Sequence, residues 1–451
     1  MSGREGSLVH GERLAVSPAL EAILEEEQVP RSVALVDRRS LWICGLSILL
    51  AIGVASIGQL LVRLIYLVTS VSFYGTFSWE RVSPAGNSLG IWVILVPVAG
   101  AFIIGLMARY GAQGIRGHGI PEAIEQVLLN QSRIPARMTF LKPLSAAISI
   151  GTGGPFGVEG PIIATGGAFG SLLGQLLKTS ALERKTLLAA GAAAGVAATF
   201  GSPVAAVLLA VELLLFEYRP RSIIPVALAS ATAAAIRMAF EGAEPAFSLP
   251  GLATPTLPAQ IFYLVVGLFA GLAAIGITKL VVLLEELFDH MPIHWMWCPA
   301  IGAIVVGIIG YVSPRTLGAG YENINDLFHH RMMLSVVLLL GVLKLTSWCI
   351  AVGSGTSGGT LAPLFTVGSC LGTVVAEIAS SIFPQWGIDV RIAALVGMAA
   401  LFAGASRALL TSVVLAFETT MQPVGLLPLL AGCSASYLLS CLFHAKEHHD
   451  W

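Results

Sequence analysis

The sequence has few charged side chains. Asp, Glu, Lys and Arg make up 11% of the 451 residues, whereas a soluble domain usually carries about 25%. Hydrophobic residues reach 56%, and the shortage of charge extends over almost the whole chain. This composition excludes an ordinary soluble domain and indicates a polytopic membrane protein. The net charge of −1 gives no reason to expect nucleic acid as a partner.

Motifs of metal sites and hydrolases are also missing. The six cysteines have no CxxC spacing, so neither a metal site nor a disulfide framework is predicted. No HExxH, GxSxG or GxxxxGK(S/T) pattern occurs, and Ser354 and Ser357 have no base that can be matched to them. A membrane-embedded enzyme is therefore only a remote alternative. We expect no enzymatic activity, no metal and no cofactor.

Long apolar stretches are present instead. Those long enough to cross a bilayer, which takes roughly 20 residues, cover 41–62, 90–108, 260–285, 297–312, 333–352 and 391–417. Shorter apolar runs, broken by Gly or Pro, occupy 143–177, 187–216 and 355–376. Such broken helices are tolerated at membrane depth when they are buried in protein or line a water-filled cavity. We expect an all-α polytopic membrane protein of tilted and broken helices.

The N-terminal part is more polar than the rest. Residues 19–28 predict a short acidic amphipathic helix, and Arg38 and Arg39 precede the first apolar stretch. Basic residues at that place predict a cytoplasmic N-terminus. Together with the several apolar stretches, we expect a multi-pass protein of the cell membrane, embedded in the lipid bilayer. The predicted organisation is a cytoplasmic segment 1–40, a transmembrane domain 41–443 and a polar tail 444–451.

Two parts of the chain resemble each other. At an offset of 202 residues the matching pairs are Pro161 and Pro363, Gly166 and Gly368, and Gly170 and Gly372. Further on, the phrases VLLAVE and VVLAFE end in Glu212 and Glu418, which we expect to cap or pair within the bundle. Chance similarity is the alternative, but matched glycine-interrupted segments are typical of transporters with inverted-topology repeats. The repeats are predicted at roughly 90–240 and 297–443.

Each repeat has a glycine-rich loop that leads into a helix start. The loops are GTGGPFGVEGP (151–161) and GSGTSGGTLAP (353–363), and proline fits the first positions of a helix. A helix N-terminus presents unpaired N–H groups and a partial positive charge. Two such starts meeting near the membrane midplane predict an anion site that needs no positively charged side chain.

Glu159 lies at the first of these helix starts and is the only charged residue between positions 143 and 177. Ionised, its carboxylate can occupy the anion site as a tethered competitor; protonated, it loses that attraction and leaves. A fixed capping glutamate is the alternative. Because ionisable residues inside membrane segments are functional by default, we predict that Glu159 is a gate and a proton carrier.

Three motifs resemble signatures of the CLC family of chloride channels and proton-coupled chloride antiporters. They are GHGIPEA (117–123), GVEGP (157–161) and GGTLAP (358–363), and GAGYENINDL (318–327) also falls where the family has similar sequence. The resemblance covers about 38 to 443. It implies the CLC fold, a homodimer with one pore per subunit, and chloride as the transported ligand. The movement would be passive, as in a voltage-gated channel, or exchanged for protons, with another anion such as fluoride as the alternative.

The resemblance also implies roles for individual residues. Glu159 matches the gating glutamate, and Lys142 matches a lysine that supports the site electrostatically. The anion-binding positions are His118, Gly119, Val158, Gly160, Thr360 and Leu361.

Several positions depart from the family pattern. His118 replaces a serine, which would make anion affinity depend on pH if the imidazole titrates; a histidine that only packs nearby is the alternative. Val158 replaces Lys or Arg, and Leu361 replaces an aromatic residue. No tyrosine follows the last apolar segment, where the family offers one to the anion; counting suggests His448 or His449 there.

The proton path departs most. Leu213 stands where the antiporters have a second, inner glutamate, which favours a channel or a loosely coupled exchanger. Glu217, four residues further on and so on the same helix face, is a candidate inner proton relay. Alternatively, it is an interfacial charge paired with Arg219 or Arg221.

Overall fold

The computed structural model describes residues 38–117, 119–249 and 251–447, so the predicted helix 19–28 lies outside it. Within these ranges the chain forms sixteen α-helices, several short 3-10 and π-helical segments, and no β-strand. Helices α1 to α8 are Arg38–Thr69, Leu95–Tyr110, Ile120–Leu129, Met138–Gly151, Glu159–Leu176, Ala181–Phe200, Pro203–Leu209 and Pro220–Glu241. Helices α9 to α16 are Leu257–Asp289, Cys298–Val312, Tyr321–Phe328, Leu334–Gly353, Leu361–Ile382, Val390–Ser406, Leu409–Thr420 and Leu426–Glu447.

Eight helical segments of the described ranges are long and apolar enough to cross a membrane. This agrees with the predicted polytopic membrane fold. The prediction of one continuous span over 391–417 is wrong, because α14 ends at Ser406 and α15 begins at Leu409. Arg407 between them has a φ of 56°, a left-handed conformation that no helix can continue through.

The first half of the structure contains α1 to α8 and the second half contains α9 to α16, and corresponding helices appear in the same order in both. Each half opens with a long helix, α1 of 32 residues and α9 of 33. The third helix of each half is short, with 10 residues in α3 and 8 in α11. The fifth, α5 and α13, begins directly after a glycine-rich loop. The structure thus repeats a helical order that the sequence only partly reveals.

Close helix contacts are repeated as well. A Cβ on Gly166 of α5 would lie 2.2 Å from the carbonyl oxygen of Gly191 in α6. In the second half, a Cβ on Gly368 of α13 would lie 2.4 Å from the carbonyl oxygen of Gly397 in α14. Small residues allow helix backbones to approach this closely in a membrane bundle. The glycines matched at an offset of 202 therefore occupy equivalent contacts.

The two halves also cap each other's helices. Glu212, just after α7, accepts hydrogen bonds from the second and third N–H groups of α15, at 3.0 and 2.9 Å. Glu418, near the end of α15, accepts hydrogen bonds from the second and third N–H groups of α7, at 3.1 and 2.8 Å. These donors have no acceptor within their own helix. The predicted capping role of both glutamates is confirmed.

Candidate functional site

The two glycine-rich loops meet backbone to backbone. The N–H of Gly157 donates to the carbonyl of Gly359, and the N–H of Gly359 donates to the carbonyl of Gly157, each at 3.0 Å. A Cβ on Gly359 would lie 2.6 Å from the Gly157 oxygen, so a larger residue does not fit there. Helices α5 and α13 begin two residues after these glycines. Their N-termini therefore converge, as the sequence predicts.

The third glycine-rich motif packs against this junction. Gly358 donates its N–H to the carbonyl of Gly117 at 3.4 Å. A Cβ on Gly119, whose φ is +100°, would lie 2.2 Å from the carbonyl oxygen of Gly160. The structure thus brings together three motifs that are far apart in the sequence. Residue His118 lies outside the described residues, as do His448 and His449.

Glu159 is the first residue of α5 and is buried, with 1% of its surface exposed. Its carboxylate accepts a hydrogen bond from the hydroxyl of Tyr321. It also faces its own N–H and that of Ala362, near the start of α13. Its Oε2 atom has no hydrogen-bond partner among the described residues. The carboxylate therefore lies between the two helix starts, where their N–H groups favour negative charge.

Gly157 leaves the space that this carboxylate fills. A Cβ at Gly157 would lie 1.8 Å from Oε2 of Glu159. Any side chain at position 157 would therefore displace the carboxylate from its present place.

Tyr321 contacts Glu159 directly, and the sequence analysis did not predict it as a site residue. It begins α11, donates its hydroxyl to Glu159 and accepts a hydrogen bond from the N–H of Val158 at 3.4 Å. Its ring packs edge-on against Phe200, with centroids 6.5 Å apart, and lies 6.3 Å from the ring of Phe247. The only signal in the sequence was its position in GAGYENINDL. No local pattern links it to Glu159, 162 residues away.

Two buried lysines hold equivalent loops in the two halves. Lys142 of α4 donates to the carbonyl oxygens of Ile115 and Gly117, at 2.9 and 3.0 Å. Lys344 of α12 donates in the same way to the carbonyl oxygens of Thr316 and Gly318, at 2.9 and 2.6 Å. The first loop leads into α3 and the second into α11. Lys142 was expected at the site; Lys344 was not, although the repeat offset relates the two.

The remaining predicted anion-binding residues lie at the helix starts. Thr360 immediately precedes α13, Leu361 is its first residue, and both follow the Gly157–Gly359 bridge. Gly160 is the second residue of α5, and a Cβ on Gly359 would lie 2.8 Å from its nitrogen. N–H groups at these first positions have no acceptor within the helix. Their partners must therefore come from outside the helix.

A cavity of about 240 Å³ opens beside the site, on the face of the molecule where α1 ends. Val158 and Tyr321 lie in its wall, together with Tyr66 of α1. Arg237 and Glu241 also line it and form an ion pair at 3.2 Å. The cavity therefore brings solvent-accessible space up to the residue that holds Glu159.

Glu217 lies in a different place from the one predicted. The helical turn after α7 ends at Leu215, and Phe216 follows with a φ of 52°. Glu217 is therefore not on a helix face shared with Leu213, and the argument from helical spacing is wrong. Its carboxylate lies 3.5 Å from the Arg219 guanidinium and accepts a hydrogen bond from Ser222 at 2.7 Å. This geometry matches the interfacial ion pair that was the alternative.

The serines of the second loop are bonded to other hydroxyls and to a backbone carbonyl. The hydroxyl of Ser357 lies 3.1 Å from that of Ser145, and the hydroxyl of Ser354 donates to the carbonyl of Ala351 at 2.8 Å. Among the described residues, neither serine is hydrogen-bonded to a histidine or a carboxylate.

Together, this fold and site define a polytopic helical membrane protein in which a carboxylate lies between two converging helix N-termini. A family model described as "Voltage gated chloride channel" matches residues 100–441. The chain therefore belongs to this family, and the resemblance to CLC proteins is confirmed.

Individual relatives agree with this assignment. A ClcB-like chloride channel protein of Ralstonia nicotianae is 28% identical over 349 residues, covering 76% of this chain and 81% of the relative. The H(+)/Cl(-) exchange transporter ClcA of Salmonella typhi is 28% identical over 402 residues, covering 84% of each chain. The solved structure of a slow cyanobacterial Cl-/H+ antiporter superposes with a TM-score of 0.77 at 22% identity, covering 88% of this chain and 94% of the other. This last likeness shows a shared fold.

Proposed function

We propose that the protein moves chloride across the membrane along a path between the starts of α5 and α13, with Glu159 as the gate. One observation carries the proposal: a buried carboxylate lies between two helix N-termini, whose N–H groups favour negative charge. A hydroxyl and backbone N–H groups face it, and such partners can serve chloride equally well. The relatives' names, a chloride channel protein and an H(+)/Cl(-) exchange transporter, support the choice of chloride.

In this mechanism Glu159 competes with chloride while it is ionised. Chloride entering the path, or a proton bound to the carboxylate, releases the side chain from the helix starts. The backbone N–H groups then coordinate the anion without a full positive charge, so binding stays weak enough for release. We assign this coordination to Gly160, Thr360 and Leu361, with Lys142 in support. Of the other predicted positions, Gly119 donates its N–H to the Glu122 carboxylate at 2.5 Å and Val158 donates its N–H to Tyr321, so both would have to exchange these partners for the anion. His118 remains a candidate for the inner end of the path.

Proton exchange is a second candidate, because the ClcA relative is an exchange transporter. Leu213 at the position of the inner glutamate and the ion pair of Glu217 favour a channel or loose coupling instead.

We further propose a homodimer in the cell membrane with a cytoplasmic N-terminus, and a protein that needs no cofactor and is not an enzyme. The dimer is tested by cross-linking and light scattering in detergent; a mass of one chain would contradict it.

The decisive experiment measures chloride efflux from proteoliposomes while external pH is recorded. Wild type is compared with Glu159→Gln and with Glu244→Gln, a control at an exposed position. Proton movement against chloride that Glu159→Gln alone abolishes would establish exchange. Chloride efflux without proton movement, altered by Glu159→Gln, would establish a gated channel. Efflux that is identical in all three proteins would refute Glu159 as the gate. A reversal potential that does not change with the chloride gradient but changes with the fluoride gradient would refute chloride as the transported anion.

A further inference from the structure

Tyr321 is in direct contact with the gating carboxylate of Glu159, and the proposed gating mechanism gives this tyrosine no role. Its hydroxyl donates to Glu159 and accepts the N–H of Val158 at 3.4 Å. Val158 immediately precedes α5, so one hydroxyl bridges the gate and the helix start next to it. A hydrogen bond to an ionised carboxylate is stronger than one between neutral groups. The contact therefore favours Glu159 in its present position.

The hydroxyl is fixed in place by its surroundings. Gly320, with a φ of +72°, turns the chain into α11 directly before Tyr321. The loop ahead of it is held by Lys344 through the carbonyls of Thr316 and Gly318, and by the N–H of Gly318, which donates to the carbonyl of Gly153 at 3.1 Å. The tyrosine does not have to be ordered when the carboxylate returns, which lowers the entropic cost of the contact.

The ring is held from the sides as well. Phe200 of α6 and Phe247 both pack against it, with ring centroids 6.5 and 6.3 Å away. Tyr321 and Val158 also lie in the wall of the 240 Å³ cavity, so these two residues stand between that cavity and the carboxylate.

We propose that Tyr321 is a positioning residue that latches the carboxylate of Glu159 between the two helix starts, so that chloride must displace a hydrogen-bonded competitor. This inference rests on the proposed function of Glu159 as the gate. The latch makes Glu159 a stronger competitor and raises the chloride concentration needed to open the path. Without Glu159 there is nothing for Tyr321 to hold, so its effect depends on the carboxylate.

The test is Tyr321→Phe, which removes the hydroxyl and keeps the ring. Tyr66→Phe is the matched control, because Tyr66 lines the same cavity and its hydroxyl is not bonded to Glu159. Uptake of radioactive chloride into proteoliposomes is measured as a function of external chloride, giving the half-saturating concentration and the maximal rate. Both variants are made in the wild type and in Glu159→Ala.

We expect Tyr321→Phe to lower the half-saturating chloride concentration about tenfold, as the loss of one charge-assisted hydrogen bond implies, without lowering the maximal rate. Tyr66→Phe should change the half-saturating chloride concentration less than about twofold. In the Glu159→Ala background, Tyr321→Phe should also change this concentration less than about twofold. An equal effect of Tyr321→Phe in both backgrounds, or none beyond the control, would overturn the latch while leaving Glu159 as the gate. If Glu159→Ala itself leaves uptake unchanged, both the gate and the latch are refuted.

Discussion

The reciprocal caps at Glu212 and Glu418 give a quantitative prediction about how the two halves hold together. Glu418→Gln removes the charge and leaves one carbonyl oxygen for two N–H groups that now share a carboxylate at 3.1 and 2.8 Å. One hydrogen bond to a charged group is worth about 1.5–3 kcal/mol, so the variant should lose about 2 kcal/mol of stability. Glu212→Gln should lose about 3 kcal/mol, because Glu212 also accepts the hydroxyl of Thr411 at 2.6 Å.

The two caps join the same pair of helices, α7 and α15. Removing one cap loosens the contact between α7 and α15 on which the other cap depends. The double variant should therefore lose about 1 kcal/mol less unfolding free energy than the sum of the losses of the two single variants. Unfolding is followed by tryptophan fluorescence in mixed micelles of dodecyl maltoside and increasing SDS. Glu244→Gln, an exposed glutamate, is the control. A Glu418→Gln midpoint equal to that of the control would refute the reasoning.

Three further variants test the packing and the loops. Gly372→Val should prevent recovery of monodisperse protein in size-exclusion chromatography, because a Cβ at position 372 would lie 2.0 Å from the carbonyl oxygen of Ala393. Gly45→Val is the control and should behave as wild type, because a Cβ at position 45 would meet no atom of a neighbouring element within 4 Å. Lys344→Met should slow chloride flux severalfold in liposomes, since it frees the loop that positions α11. Arg407→Val should be less stable than Arg407→Gly by about 1–2 kcal/mol in SDS unfolding, because a β-branched residue is strained at a φ of 56°; equal stabilities would contradict this.

The sequence predicts those parts of the site that local chemistry determines. Glycine-rich loops ending in proline mark the starts of α5 and α13, and a lone carboxylate in an apolar stretch marks Glu159. The repeat offset predicts which glycines form equivalent contacts. In each case the residue type itself carries the physical reason, whether backbone freedom, a missing donor or an unpaired charge.

Helix ends at which a residue other than glycine takes a left-handed conformation could not be predicted in this way. Phe216, Arg407 and Met421 all have a φ between 51° and 56° and directly follow helical segments. Residues of these types rarely adopt this conformation, so their identity gives no signal for it. The same applies to Tyr321, whose partner is brought near by packing between the two halves. A pattern read along the chain misses both.

The two halves are alike in the backbone and differ in the side chains that reach the path. Helices α5 and α13 begin alike beside the Gly157–Gly359 bridge, but Glu159 opens the first and Leu361 opens the second. A carboxylate at both starts would repel its neighbour across the bridge and leave no room for an anion. With leucine in the second position, a single carboxylate lies between the two helix starts. In the proposed mechanism the repeated backbone supplies the anion site, and the unequal residues at its centre make it a gated one.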